Sequence, residues 1–311
     1  MPLHTATPSH RGATTPGRIV DTHVHVFDPA RYPYATPRAY TPGTANVAAL
    51  RVLLSQCGAQ QVVLVQPSVY GTDNRCLLAA IDALGQDVAR GVAVVDLDTV
   101  TTDEIEALHL GGVRAVRLNL KLHSGADQAR CRGRLLQAAR VITRAGWHVQ
   151  VHAEAALLPL LAEVQPAFTV PLVLDHFAGL GAGHGRIDAH AEDASARSLA
   201  QLLATGAVYV KLSAPYRVSR QAPAHGDLQT LARDLMALRP DRLLWGSDWP
   251  HTGGDGPQRG DPNAIEPFRT VDVPAALQAL RDWCSDPAMP PQILTSNAQH
   301  LYGFPSTPVV S

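Results

Sequence analysis

The chain has 311 residues, 46% of them hydrophobic and 17% charged, with a formal net charge of −1. That length supports a large core in one domain or two small ones, and a near-neutral chain without a basic block or stripe excludes a nucleic-acid or membrane-surface binder. The four cysteines, Cys57, Cys76, Cys131 and Cys284, contain no CxxC pair, which argues against a disulfide framework or a thiolate zinc site and for a reducing, cytoplasmic setting.

Residues 1–17 lack an apolar signal core or membrane span and read as a flexible tail. From residue 18 onward, short Val- and Leu-rich runs alternate with helix-length segments. The first strand, "RIVDTHVHV" (18–26), ends with His23 and His25, one residue apart and therefore on the same side of a strand. A helix follows at 46–58, stopped by glycine, then a strand at 61–66 and a helix at 73–85, opened by the capping type Asp73 and also stopped by glycine. Further strands are predicted at 91–97, 113–120, 148–153, 171–177, 207–213 and 242–248. Helices are predicted at 102–110, 127–146, 155–164, 191–206, 225–238 and 272–285. Residues 306–311 read as a C-terminal tail.

Runs apolar on both faces suit parallel strands covered by helices. Eight strand–helix units over 18–305 predict a single-domain (β/α)8 TIM barrel, with an open doubly wound sheet as the structural alternative. The long irregular segments 27–45 and 249–271 each follow a strand, which puts both at the C-terminal mouth of such a barrel.

Polar residues at the strand ends carry the chemistry. His23 and His25 close strand one, Arg117 and Asn119 strand four, His152 strand five, His176 strand six, Lys211 and Ser213 strand seven, and Asp248 strand eight. Singly, each has a structural reading: a packing histidine, a turn-capping Asp248 before Pro250, or an interior ion-pair partner for Lys211. Together, a barrel brings them to one rim. Imidazole and carboxylate ligands suit a divalent ion, zinc first, with a position left for water. Asp248 is then placed to take the water's proton. His148, at the start of its strand, belongs to the opposite end, whereas His251 in "DWPH" lies close enough to line the pocket. His109, His184, His190, His225 and His300 read as surface or packing residues.

"VDTHVHVF", "VQVHAE", "VLDHFAG" and "LLWGSDWPH" resemble the amidohydrolase superfamily over nearly the whole chain. "YTPGTAN", "VLVQPSVYGTDN", "VKLSAPYRVS" and "WGSDWPH" narrow the likeness to its dicarboxylate- and sugar-acid-lactonase branch. The resemblance implies a hydrolase that opens a lactone: Asp248 as the base that activates water, His176 polarising the carbonyl, and His23 and His25 completing the catalytic set. It implies that Arg117 and Arg217 hold the substrate carboxylate, by the bidentate fit of guanidinium to carboxylate, and that Ser68 and Tyr70 lie on a loop lining the pocket. Asn119, Lys121, His123, Tyr216 and His251 are further candidate substrate contacts, with Lys121, just beyond strand four, an extra metal ligand as its alternative role. His152 stands where the dicarboxylate lactonases resemble a tyrosine-bearing, metal-free enzyme. Its presence completes a mononuclear set of His23, His25, His152 and Asp248, with metal-independent catalysis as the alternative. Two arginines of the dicarboxylate lactonases are missing here, near His123 and Gly179, which favours a less anionic lactone. A metal-dependent decarboxylase, a lactone isomerase and a ligand-binding protein on an inactive barrel are the rival readings. The apolar outer helices are compatible with a homodimer.

Overall fold

A computed structural model describes residues 19–120, 128–152, 154–253 and 261–305. Eight parallel strands form one sheet in chain order: β1 (Ile19–Val24), β2 (Ala59–Val65), β3 (Ala89–Ala93), β4 (Val113–Asn119), β5 (His148–His152), β6 (Leu172–Leu174), β7 (Val208–Ser213) and β8 (Leu243–Gly246). The sheet closes where β8 returns to β1. Val24 bridges Trp249 in parallel, His25 N–H donates to the Trp249 carbonyl at 2.8 Å, and Asp248 N–H donates to the His23 carbonyl at 2.9 Å. The Thr22 hydroxyl donates to the Trp245 carbonyl at 2.6 Å across the same seam.

The helices that cover the barrel are α1 (Val47–Cys57), α2 (Arg75–Leu84), α3 (Thr102–Leu110), α4 (Gln128–Ile142), α5 (Leu158–Val164), α6 (Ala194–Ala204), α7 (Gln229–Leu238) and α8 (Val273–Trp283), with α9 (Asn297–Tyr302) last. Their ends follow local chemistry. Asn46 accepts from Ala49 N–H at the start of α1, and Gly58 takes the left-handed conformation that ends it. Thr101 and Glu104 form a reciprocal capping box on α3, a cap worth about 1 kcal/mol. The expected cap of α2 is corrected: Asn74 is the N-cap, while Asp73 accepts from the Arg75 backbone and pairs with its guanidinium. Among the described residues no helix is long and apolar enough to cross a membrane.

Because both faces of a barrel strand are covered, β1 and β7 are buried along their full length. One core fills the space between sheet and helices. A second fills the bottom of the barrel with Val63, Val65, Val92, Ala115, Val173, Tyr209 and Leu244, plugged by Tyr302 and Phe304. Helix α9, which the sequence pattern did not reveal, supplies Tyr302.

The two long segments meet over the β8–β1 seam, as expected of mouth loops. Thr41–Pro42 pairs with Ile265–Glu266, Phe27 stacks on Phe268 at 6.1 Å, and Arg38 reaches Asn263 at 2.9 Å. The mouth is thus fastened on the side where the first and last strands join.

Candidate active site

Strand alternation turns every second residue into the lumen, and these inward residues become polar towards the C-terminal ends. Nε2 of His23 and Nε2 of His25 each lie 3.5 Å from Oδ1 of Asp248, and Nε2 of His176 lies 3.9 Å from the same oxygen. The expected meeting of His23, His25, His176 and Asp248 is therefore present, and all four are buried.

Each imidazole is anchored through Nδ1. That of His25 lies 2.8 Å from the Val65 carbonyl. A carbonyl only accepts, so this nitrogen carries the hydrogen. Nδ1 of His176 faces the Ser213 hydroxyl at 2.9 Å. Nδ1 of His23 lies 3.3 Å from Asp175 Oδ1.

His176 and Asp248 leave their strands in an unusual way. Both have positive φ, 52° and 62°, as do Phe177, Ala178, Ala214, His225 and His251. Such conformations cost about 1–3 kcal/mol each in bulky residues and persist only where the surroundings fix them. They explain why β6 and β8 end two residues before His176 and Asp248, earlier than their sequence runs suggest. Gly246 is required by a close approach: a Cβ there would lie 2.8 Å from His23 Cβ and 2.9 Å from His23 N. Asp21 reinforces the seam, since its Oδ1 accepts from His23 N–H at 3.2 Å and Ser247 N–H at 2.9 Å. Burial pushes its carboxyl up to about 6 against those hydrogen bonds.

The two oxygens of Asp248 have different tasks. Oδ2 accepts from the Tyr216 hydroxyl at 2.6 Å and from Arg217 Nε and Nη2 at 3.0 and 2.9 Å. Oδ1 has no hydrogen-bond partner among the described residues, nor does Nε2 of His23. Burial opposes ionisation of Asp248, but the Arg217 guanidinium outweighs it and holds the carboxyl well below its ordinary range. Burial pushes the His23 ring down to about 3, against the pull of Asp175, so this ring is neutral at neutral pH. His176 and His152 are likewise held well below the usual imidazole range, by burial first.

His23, His25 and Asp248 offer three ligand atoms within 4.8 Å of one another, and His23, Asp175 and His176 form a second such group. Two buried orphan atoms, a ring nitrogen and a carboxylate oxygen, sit in the first group. The donor set therefore fits a divalent ion. The fourth residue of the expected metal set, His152, is not in either group: its Nδ1 faces Arg117 Nη2 at 3.2 Å, and its ring stands edge-on to His176 at 4.9 Å.

The expected substrate contacts divide. Arg117 faces the lumen but spans His152 and Asp175 Oδ2, the latter at 3.3 Å, and its Nε has no partner among the described residues. Arg217, rather than waiting open for a substrate acid, is paired with Asp248 and with the Thr252 carbonyl at 3.1 Å. Tyr216 is held on Asp248 and lies 5.9 Å, edge-on, from His251. His251 is buried beside it, and burial pushes its ring down to about 4. The Asn119 side-chain oxygen is buried without a partner among the described residues. Ser68 is exposed at the turn after β2. Tyr70 is corrected from pocket to packing. It is 2% exposed, stacks on Phe27, and its hydroxyl accepts from Asp28 N–H at 2.9 Å. Its ring holds the β1 loop in place. Lys121 and His123 lie outside the described residues.

Three contributors were missed. Tyr40, within "YTPGTAN", hydrogen-bonds Thr252 and Ser68 near the charges of Arg117 and Arg217. Asp175 and Asp21 sit one and two residues ahead of histidines in "LDH" and "DTH". The acidic residue in each motif was the available signal. Lys211 proves to be an interior residue, fully buried below the rim. Its Nζ donates to the Thr22 carbonyl at 2.7 Å and to Gln150 Oε1 at 2.8 Å. A cavity of about 670 Å³ lies outside the barrel wall, lined by Leu212, Trp245 and Leu280 and reaching Tyr216. None of the three imidazoles lines it.

The sequence as a whole agrees with this site. The amidohydrolase family profile matches residues 20–304, and the chain belongs to that family. It is 34% identical to a 2-pyrone-4,6-dicarboxylate hydrolase of Comamonas testosteroni, over 79% of this chain and 81% of the relative. It is 30% identical to a 4-sulfomuconolactone hydrolase of Rhizobium radiobacter, over 91% of this chain and 89% of the relative. A crystal structure of a probable 2-pyrone-4,6-dicarboxylic acid hydrolase from Acinetobacter baumannii, with citric acid bound, superposes with a TM-score of 0.75. It has 28% identity, over 92% of this chain and 100% of that one.

Proposed function

We propose that the protein hydrolyses a lactone bearing an acidic group, with Asp248 as the base. The observation that carries this reading is the division of labour on one carboxylate. Oδ2 is clamped by Tyr216 and Arg217, while Oδ1 is left open amid three imidazole nitrogens.

A water beside Oδ1 attacks the ring carbonyl carbon and gives its proton to Asp248. The carbonyl electron pair moves to oxygen, where N–H donation from His176 stabilises the growing charge if Ser213 donates to its Nδ1. The carbonyl then re-forms, the ring C–O bond breaks, and Asp248 returns the proton to the leaving oxygen. One water is added, and the product is a hydroxy acid, or a keto acid where the leaving group is an enol. His23, His25 and Asp248 would hold a divalent ion, zinc by the preference of imidazole and carboxylate donors. Such an ion supplies a lower water pKa and a Lewis acid for the carbonyl. His152, outside the three-atom cluster, is assigned to the substrate side of the rim with Arg117.

The relatives named above act on acidic lactones, and a bound citric acid in the Acinetobacter protein points the same way. Arg217 is shared: an incoming carboxylate or sulfonate competes with Asp248 for it, and as the guanidinium turns outward, Asp248 becomes more basic. Arg117 and Tyr40 supply the rest of the polar rim.

The test is a panel of pyrone-type, muconolactone-type and sugar-acid lactones, with neutral analogues. It is read by proton release in weak buffer and by product mass. Acidic lactones should gain one water and release a proton, and neutral analogues should be at least 100-fold poorer, the order expected when a bidentate charge contact is lost. Carbon dioxide release would establish the decarboxylase reading instead, and a relocated ring without acid release the isomerase. Metal analysis should find about one zinc per chain before chelation and little after it, with activity lost on its removal and restored by its return.

A further inference from the structure

Below the rim lies a buried charged layer that the reaction does not use directly. Asp175, 1% exposed, faces His23 through Oδ1 and Arg117 through Oδ2, each at 3.3 Å. Lys211 Nζ, with two of its three hydrogens given to Thr22 and Gln150, lies 3.5 Å from His23 Nδ1 and 3.8 Å from Asp175 Oδ1. The same ring nitrogen of His23 therefore faces a group that can only accept and a group that can only donate.

A neutral imidazole has one N–H, so these neighbours favour opposite tautomers. Hydrogen on Nδ1 is donated to Asp175, and the Nε2 lone pair then points between His25 and Asp248. A bare Nδ1 accepts from Lys211 instead, and Nε2 carries hydrogen towards Asp248 Oδ1. The first form is a metal ligand and the second is a hydrogen-bond donor.

We propose that Asp175 and Lys211 are opposed positioning residues for His23, and that Asp175 keeps the ring hydrogen on Nδ1. Asp175 Oδ1 is the nearer atom, at 3.3 Å, and is a buried acceptor left without a hydrogen-bond partner among the described residues, and a carboxylate is the stronger acceptor for a ring N–H. Lys211 and Arg117 flank it with opposite charge, which keeps it ionised in a dry interior. The third hydrogen of Lys211 is then directed to Asp175 rather than to the ring. The consequence for metal binding rests on the metal reading above, but the tautomer itself does not.

Two measurements test this. In metal-free wild-type protein labelled with 15N-histidine, long-range 1H–15N spectra report the tautomer, with the His23 signals assigned by their loss in His23→Gln. The expected result is an N–H at Nδ1 of His23; an N–H at Nε2 would overturn the proposal. Zinc titration is the second. Asp175→Asn, which can turn its amide N–H to the ring, should weaken zinc binding about 10–100-fold, whereas Lys211→Met should change it little. Equal zinc affinity in Asp175→Asn and wild type would count against the assignment. If the single variants fail to fold, Asp175→Asn/Lys211→Met removes both charges together and should still show the loss. A wild-type protein that takes up no zinc would sink the metal reading alone, and the spectrum would still decide the role of Asp175.

Discussion

The two ends of the barrel lumen make use of the same residue type in different ways. His23 at the rim and His148 at the base are both buried, and burial pushes both rings down to about 3. Each has Nε2 without a hydrogen-bond partner among the described residues, and both feel the charge of Lys211. Yet His148 packs edge-on against Tyr302 at 4.8 Å, in an aromatic plug, whereas Nε2 of His23 is aimed at Asp248. The lesson is that a shifted pKa marks burial. Convergence marks the candidate site: ring nitrogens from the ends of β1 and β6 meet on one oxygen at the end of β8. Strain follows the same division. Among the described residues, the non-glycine residues with positive φ all follow β6, β7 or β8, on the mouth side, while the base is built from regular strand starts.

Asp248→Asn at the rim should break this contrast most strongly. It keeps the shape but removes the base, so turnover should fall by about 10²–10⁴-fold while calorimetry still detects ligand. Unchanged turnover would show that the convergence has no catalytic meaning. Gly246→Ala comes next. Its Cβ would collide with His23, forcing β1 and β8 apart, with about 1–3 kcal/mol of destabilisation and about a tenfold loss of kcat. A variant with wild-type Tm and kcat would show that the seam is slack.

A smaller effect is expected at the base. The folded pKa of His148, about 3, lies below the ordinary 6.5, so between those values the unfolded chain binds more protons. Stability is then fully present above pH 6.5 and is lost as pH falls towards 3, by up to roughly 1 kcal/mol per pH unit from this group. Urea unfolding of His148→Gln should show a shallower fall below pH 6 than wild type; parallel curves would contradict the burial argument. Tyr302→Phe should do least. The hydroxyl has no hydrogen-bond partner among the described residues, so its removal should leave activity unchanged and raise stability by up to about 1 kcal/mol. A clear loss in urea midpoint would reveal a partner for that hydroxyl.

Much of the fold was legible because parallel strands covered on both faces must be apolar, and these runs stood out as Val- and Leu-rich segments. Their number and alternation with amphipathic helices pointed to a closed barrel. HxH and the polar residues at later strand ends named the side chains that meet in the candidate site. Strand ends were overestimated at β6 and β8, where His176 and Asp248 turn into left-handed backbone that no apolar pattern encodes. Tyr70 looked like a pocket residue because the motif holding it is polar. Only packing against Phe27 and Asp28 revealed a loop support.

By itself, then, the sequence determined the architecture and which side chains could meet at the barrel mouth, since periodicity and side-chain chemistry are local properties of a chain. Tertiary structure alone decided the pairings: Arg217 on Asp248 rather than open to a substrate, Lys211 beneath the rim, and Asp175 against His23. Those choices depend on distances of a few ångströms between strands remote in sequence, in an interior where a charge must find its partner because water is not there to replace it.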